Sequence, residues 1–355
     1  MSGFHYHFEA LLQNLEPPTE RKELARDVPA SVRDFLESHS FKTASPHSRL
    51  TGSYFRDTAV LEIKDVDILV FVPQAQRDRT PNAVLLDLKK ALDDYPDATA
   101  EASGQRRSVR LTLKKQENLQ LDLVPAFTAG DIHDPLEVPE RTTQEWISSN
   151  PLGYSDLLSD LNGDHAQKVV RLIKLFKGWR SVQMKTRKPK SYVLEAIVYY
   201  AVRDGKLLLK DQSWETIVAG LFGHVWSKYE DLYEQGKESP RIPDPGLEHL
   251  DGYADRWITK GWERSHFETF MRRIDESRKR AERALDPKTK EPETEWAEIF
   301  GDYWPTEDAV KSAAKVIGLN LRPGSSQLSS AGLVVGGSDC SRPSRDTRYW
   351  GGGER

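Results

Sequence analysis

The sequence is almost without cysteine, since Cys340 is the only one in 355 residues. A single thiol cannot form a disulfide within the chain, and it cannot build a zinc site of several cysteines. No apolar run approaches the roughly 20 residues that a membrane-spanning helix needs. Residues 1–13 also lack the basic and then apolar layout of a secretory signal peptide. We therefore expect a cytoplasmic protein without a membrane partner.

An excess of charge of either sign is also missing. The chain has 51 Lys and Arg against 55 Asp and Glu, a formal net charge of −4 at pH 7. This balance argues against obligate binding along a long DNA or RNA backbone, but it leaves room for a local basic pocket. A hydrophobic content of 37% and a charged content of 30% are typical of a globular protein. The length suffices for about two domains.

The spacing of apolar residues predicts an α+β region followed by helices. Helices are predicted at 4–15, 18–39 and 82–95, and strands at 66–72, 107–114 and 119–127. From about residue 140 the pattern becomes helical, with helices predicted at 165–181, 191–203, 211–226, 262–285 and 293–302. We therefore divide the chain into N-terminal helices with a catalytic core (1–140), a helical domain (141–322) and a flexible Gly- and Ser-rich tail (323–355).

Three aspartates form the most informative pattern. Asp65 and Asp67 are two residues apart at the start of a predicted strand, so their side chains leave the same face. Asp122 lies on another predicted strand, and acids on adjacent strands can converge on one point. Carboxylates gathered in this way repel one another unless cations neutralise them, and magnesium prefers such oxygen ligands. The three aspartates are therefore predicted to be catalytic and to hold two Mg²⁺ or Mn²⁺ ions, as in two-metal catalysis.

Other residues suit the binding of a triphosphate. Gly52 lets the backbone approach a phosphate closely, and Ser53 can add its hydroxyl. On the predicted helix 165–181, Arg171, Lys174 and Lys177 recur every three residues, on the side away from the apolar stripe. Each feature also has an ordinary structural interpretation by itself: a Gly-Ser pair is usually a turn, and a helix lysine is usually solvated.

The order of these motifs resembles the DNA polymerase β-like nucleotidyltransferase superfamily. The segments that carry the resemblance are GSYFRDTAV, DVDILV, LDLVPAF, VVRLIKLFKGWR and KSYVLEAIVYYA. These segments are similar in sequence to those of the bacterial CD-NTases, which are relatives of cGAS and oligoadenylate synthase. The CD-NTases make cyclic oligonucleotides in anti-phage (CBASS) signalling. The resemblance covers roughly residues 45–205.

The resemblance implies a polymerase β-like core with a mixed twisted sheet, a C-terminal helical domain, and an active site in the cleft between two lobes. It implies that Gly52, Ser53, Lys174 and Ser191 bind the nucleotide, although Ser191 could equally cap a helix. Glu195, in a very apolar helix, is expected to be a paired structural acid. The expected substrates are NTPs (ATP, GTP or pyrimidine NTPs), and the expected state is a monomer.

Two other functions remain open on the sequence. A template-independent RNA or tRNA nucleotidyltransferase would use the same three acids, although it should have a broader basic surface. A non-catalytic nucleotide-binding module would not need all three acids.

The end of the sequence carries a glycine run. Residues 351–353 resemble termini that ubiquitin-like enzymes conjugate, and CBASS operons often encode such enzymes. Gly353 would become a conjugation site only after removal of Glu354 and Arg355. A tail without a role is the alternative. Partners among CBASS operon proteins are therefore expected.

Overall fold

The computed structural model describes residues 3–39, 41–63, 65–116, 119–236, 238–253 and 255–320, and the residue pairs 327–328 and 334–335. Within these ranges the helices are α1 (His5–Leu15), α2 (Thr19–Ser38), α3 (Gly52–Phe55), α4 (Pro81–Asp93), α5 (Pro151–Asp164), α6 (Lys168–Gln183), α7 (Ser191–Arg203), α8 (Trp214–Glu234), α9 (Arg264–Leu285), α10 (Pro292–Phe300) and α11 (Glu307–Asn320). The strands are β1 (Ser48–Thr51), β2 (Asp65–Phe71), β3 (Ala98–Glu101), β4 (Val109–Leu113), β5 (Leu119–Ala126), β6 (Leu136–Glu140), β7 (Glu145–Ser149), β8 (Gln327–Leu328) and β9 (Val334–Val335).

A mixed sheet organises the first part of the chain. Its strand order is β1-β2-β5-β4-β3, and the β2–β5 pair is parallel whereas the other pairs are antiparallel. Ile68 and Val70 pack into a core with α2 and α4, while Leu69 and Phe71 pack into a smaller core on the other face. The predicted strand at 66–72 is therefore present as β2 and is covered on both faces, and the α+β class is confirmed.

The second part of the chain is helical and has its own core. Residues of α5 to α10 build this core around Trp179 of α6, whose indole N–H donates to Ser277 Oγ of α9 at 2.8 Å. Helix α1 also belongs to it, because Phe8, Leu11 and Leu15 are fully buried there. Helix α1 thus packs with the helical part, whereas the predicted domain division grouped it with the catalytic core in residues 1–140.

Several elements differ from the sequence-based predictions. The strands β3, β6 and β7 and the helices α5 and α11 were not predicted. Strand β7 follows residue 140, so the expected change to helices at that point is wrong, and the helical part begins at Pro151. Short strands of mixed polarity carry little periodicity, which explains the omission of the three strands.

The predicted tail lies mostly outside the described residues, and so do Cys340 and the proposed conjugation site Gly353. Between 323 and 355 the structure describes only β8 and β9, which pair antiparallel. None of the helices among the described residues is both long enough and apolar enough to cross a bilayer.

Candidate active site

The sheet carries the three predicted acids on two neighbouring interior strands. Strands β2 and β5 run parallel in a register that places Asp67 directly beside Asp122. Asp65, two residues before Asp67, leaves β2 on the same face. The Asp65 side chain is 45% exposed and that of Asp122 is 12% exposed, so the acids line a site that solvent reaches from one side. The strand register therefore places Asp67 and Asp122 side by side, and the role of the three acids as one metal site stays a prediction.

The backbone at Gly52 lies against the Asp67 carboxylate. Gly52 begins the short helix α3 with a φ of +77°. A Cβ at this position would lie 1.9 Å from Asp67 Oδ2, and real side chains do not tolerate such a distance. Glycine is required here both by the backbone conformation and by the close approach of the carboxylate. The predicted glycine turn is thus a part of the acid site.

The surroundings of Asp67 disfavour the ionised form of its carboxyl group. Burial and then the neighbouring charges of Asp65 and Asp122 raise the pKa of Asp67 to about 7, and Arg56 opposes this shift only in part. Burial is the largest cause of this rise in pKa, and the part that comes from Asp65 and Asp122 reflects a local excess of negative charge. A divalent cation with oxygen ligands would offset that excess. The donor chemistry of Asp65, Asp67 and Asp122 therefore fits a metal such as magnesium or manganese.

Arg110 is a member of the site that the sequence did not reveal. It lies on β4 in register with Asp122 of β5, and it donates to both carboxylate oxygens. Its Nε is 2.9 Å from Asp122 Oδ1, and its Nη2 is 2.7 Å from Asp122 Oδ2. The same Nη2 is 3.9 Å from Asp65 Oδ2. Only the strand register places Arg110 beside Asp122, and the sequence alone does not give that register.

A buried ionic cluster supports the turn that carries Gly52 and Ser53. Glu195 of α7 accepts hydrogen bonds from Arg56 Nε at 2.9 Å, Lys177 Nζ at 2.7 Å and Thr58 Oγ1 at 2.9 Å. Burial would raise the pKa of Glu195, but Arg56 and Lys177 outweigh burial and lower it. Thr58 N–H in turn donates to the Ser53 carbonyl at 2.9 Å. The prediction that Glu195 is a paired structural acid is confirmed.

Lys174 of α6 also forms ion pairs, with Glu16 and with Asp57. Its side chain is only 2% exposed, and its Nζ donates to Glu16 Oε1 at 2.5 Å and to Asp57 Oδ1 at 2.9 Å. The expectation that Arg171, Lys174 and Lys177 face away from the packed side of α6 is wrong. Both lysines are buried, and Arg171 pairs with Glu9 of α1. The acidic partners of these three side chains lie outside α6, so the spacing within α6 did not indicate these contacts.

Ser191 begins α7, as expected from the resemblance, and the N-cap position falls on Lys190. The Ser191 hydroxyl accepts a hydrogen bond from Arg180 Nη2 at 3.1 Å, and Arg180 also donates to the Pro189 carbonyl at 2.8 Å. Arg180 thus ties the loop before α7 to the end of α6. Ser53 lies half-buried in α3. The roles of Ser53, Lys174 and Ser191 in nucleotide binding stay predictions.

This arrangement defines a class of protein. A mixed sheet that presents two acids on one strand and a third on the parallel neighbour, followed by a helical part, is the polymerase β-like nucleotidyltransferase fold. Enzymes of this class transfer a nucleotidyl group and use divalent metal ions.

Comparison with known proteins agrees with this class. Residues 1–162 match the family model of the Second Messenger Oligonucleotide or Dinucleotide Synthetase domain. A cyclic AMP-AMP-AMP synthase from Acinetobacter sp. is 27% identical over 324 residues, which cover 86% of this chain and 87% of that protein.

Solved structures show the same fold at lower identity. The CD-NTase CdnG from Bradyrhizobium diazoefficiens, in complex with GTP, superposes with a TM-score of 0.64 at 16% identity, over 89% of this chain and 99% of that one. CdnC from E. coli, in a complex with a HORMA protein, superposes with a TM-score of 0.63 at 15% identity, over 85% of this chain and 98% of that one. The domain match and the relative support a place for this chain among the CD-NTases, whose members are nucleotidyltransferases, and the solved structures show that it has their fold.

Proposed function

We propose that this enzyme joins NTPs into a cyclic oligonucleotide second messenger and releases pyrophosphate, with Asp65, Asp67 and Asp122 as its catalytic acids. The observation that carries the proposal is the register between β2 and β5, which sets Asp67 beside Asp122 while Gly52 packs against Asp67. Like charges placed side by side on neighbouring strands destabilise a sheet, so the packing of the sheet does not explain why three acids lie there. The acids are therefore best explained by the cations that they bind.

Different residues of the site would bind the metal ions, accept the proton and bind the triphosphate. Asp65 and Asp67 would hold two Mg²⁺ or Mn²⁺ ions, and Asp122 would hold one of these ions and accept the proton of the attacking ribose hydroxyl. When bound, the cations would neutralise charge on the α-phosphate and on the departing pyrophosphate. The backbone at Gly52 and the Ser53 hydroxyl would bind the donor triphosphate. Lys174 and Ser191 would complete this pocket, Lys174 by exchanging its contacts with Glu16 and Asp57 for the phosphates.

The relative from Acinetobacter sp. makes a product of three adenylates by its name. We propose ATP as the principal substrate of this chain on that basis. GTP and the pyrimidine NTPs are the alternative substrates, and the labelled-NTP assay distinguishes them from ATP. A role in anti-phage signalling, with a protein partner in the same pathway, follows from the family resemblance and stays a prediction.

The proposal is tested by incubating the purified chain with four α-labelled NTPs, each in turn and together, with Mg²⁺ or Mn²⁺. The reaction is then treated with phosphatase and separated by chromatography. A small labelled product that resists phosphatase supports the proposal, and its mass identifies the bases and the ring size. Label that enters only added RNA would instead indicate a terminal transferase.

A CD-NTase can require an activator, so the assay is repeated with clarified lysate from phage-infected cells. Binding of ATP without incorporation under every one of these conditions would favour a non-catalytic nucleotide-binding module and contradict the proposal.

A further inference from the structure

Arg110 occupies both oxygens of the third carboxylate. The two hydrogen bonds from Arg110 Nε and Nη2 to Asp122 form the planar, two-pronged arrangement that a guanidinium makes with a carboxylate. The same group lies 3.9 Å from Asp65, so its positive charge is placed between two of the three acids. In the described part of the chain, no three acidic, histidine or cysteine side chains are gathered closely enough to hold a metal ion as they stand.

This pairing conflicts with the role of Asp122 as a metal ligand. A carboxylate that gives both oxygens to a guanidinium has to turn at least one of them toward an ion in order to ligate it. A cation bound between Asp65 and Asp67 would also repel the guanidinium at close range. Strand β4 itself need not move, because the Arg110 side chain is 25% exposed and can rotate toward solvent.

We propose that Arg110 is a positioning residue that competes with the catalytic metal for Asp122. It holds Asp122 in an ion pair while the site is empty, and it releases at least one carboxylate oxygen when the metal and the NTP bind. The pair therefore makes assembly of the metal site depend on substrate, which brings its own metal-bound phosphates. This inference rests on the proposed function, because it takes the three acids as the metal site.

The competition is measured by direct binding of Mn²⁺ to the metal-free protein without NTP, followed by electron paramagnetic resonance of the free ion. The variant Arg110→Gln removes the charge, and Arg110→Lys keeps the charge but loses the two-pronged geometry. Arg106→Gln is the matched control, because Arg106 precedes β4 and pairs with Glu140 with a side chain that is 66% exposed.

The proposal predicts that Arg110→Gln binds Mn²⁺ roughly threefold to tenfold more tightly than the wild type, as expected for loss of a partly exposed charge pair. Arg110→Lys should fall between the two, and Arg106→Gln should match the wild type. An affinity for Mn²⁺ that is unchanged or weaker in Arg110→Gln would overturn the proposal, since Arg110 would then be a structural or metal-supporting residue.

A second measurement uses the wild-type chain and does not depend on the folding of a variant. The Arg110 Nε–H resonance is assigned by nuclear magnetic resonance, and Mg²⁺ is added together with a non-hydrolysable ATP analogue. We expect this proton to shift and to exchange faster with water as the pair opens. A resonance that stays shifted and protected in the loaded enzyme would contradict the release of Asp122.

The double variant Asp65→Asn with Asp67→Asn separates this inference from the proposed function. Loss of Mn²⁺ binding in this variant establishes the acids as the metal site, whatever Arg110 does. Mn²⁺ binding that equals the wild type would refute the metal site itself, and with it the proposed function.

Discussion

At Gly52 the backbone and the Asp67 carboxylate approach too closely for any side chain to fit between them. The position also has a positive φ, which costs a residue with a Cβ about 1–2 kcal/mol. These two effects can be separated, because Gly104 has a similar φ of +81° but nothing within 4 Å of the place where its Cβ would be.

We expect Gly52→Ala to lower kcat by on the order of 100-fold or more, since a carboxylate displaced by about 1 Å disrupts the metal geometry. Gly104→Ala should lose a similar amount of stability to backbone strain and keep its turnover. Steady-state kinetics and thermal melts of both variants measure these effects. Equal turnover in the two would show that the contact between Gly52 and Asp67 does not matter for catalysis.

Asp67 makes the metal-free protein sensitive to pH. Its pKa of about 7 in the folded chain lies above the ordinary aspartate value of 3.8. The folded state therefore binds this proton more tightly than the unfolded state does, and the resulting stabilisation is lost as pH rises from about 4 through 7. The ionised form that remains at higher pH is the one that binds a cation.

We predict that Mg²⁺ raises the melting temperature more at pH 8 than at pH 6, because at pH 6 the ion has to displace the Asp67 proton. The variant Asp67→Asn has no proton to lose at this position, so most of the difference between the two pH values should disappear. Scanning calorimetry with and without Mg²⁺ gives the four values needed for each protein. A Mg²⁺ effect in the wild type that is the same at both pH values would contradict the assignment of Asp67.

At the scale of elements, α6 presents two lysines that look alike in the sequence and differ in their surroundings. Lys177 meets Glu195, whose side chain is 1% exposed, whereas Lys174 meets Asp57 and Glu16, whose side chains are 48% and 24% exposed. Removing Lys177 would leave a buried carboxylate with one fewer cation. Removing Lys174 would leave two acids that water can still reach.

Lys177→Met should therefore destabilise the protein by about 3–5 kcal/mol, the range measured for breaking a buried ion pair. Lys174→Met should cost only about 1 kcal/mol, and it should raise the KM for ATP on the order of tenfold if Lys174 contacts the triphosphate. Urea melts and kinetics on the two variants provide the comparison. A larger stability loss in Lys174→Met than in Lys177→Met would refute this account of α6.

The same helix shows why part of the site could not be predicted. The continuous apolar run at 66–72 and the alternation at 119–127 were enough to predict β2 and β5, and the Asp-x-Asp spacing was enough to place Asp65 and Asp67 on one face of β2. The burial of Lys174 and Lys177 depends on Glu16, Asp57 and Glu195, which lie on other elements. The contact between Arg110 and Asp122 depends on the register of β4. Long-range pairing of this kind leaves no periodic signal in the sequence.

For the molecule as a whole, α1 joins the start of the chain to the helical core. Phe8 is fully buried and contacts the rings of Trp296, Phe300 and Trp304 edge-on, with centroids 5.2, 6.0 and 5.4 Å away. Leu61 N–H of the catalytic part donates to the Leu15 carbonyl at the end of α1 at 2.7 Å. Helix α1 therefore contacts both parts of the molecule.

Phe8→Ala should lower the free energy of unfolding by about 3–5 kcal/mol, as for other large buried aromatics. The control is Leu208→Ala, because Leu208 is 69% exposed and its truncation should change stability by less than about 0.5 kcal/mol. Chemical denaturation followed by tryptophan fluorescence reports both values. A loss in Phe8→Ala as small as that of the control would show that α1 is not part of the helical core.

The role of the three acids is tested by comparing the wild type with Asp65→Asn, Asp67→Asn and Asp122→Asn in the labelled-NTP assay. Asp93→Asn is the control, since Asp93 pairs with Lys89 on the surface of α4. We expect a phosphatase-resistant product from the wild type and Asp93→Asn, and none from the three site variants, which should still fold. Product formed at the wild-type rate by any of the three would contradict the claim that these acids form the active site.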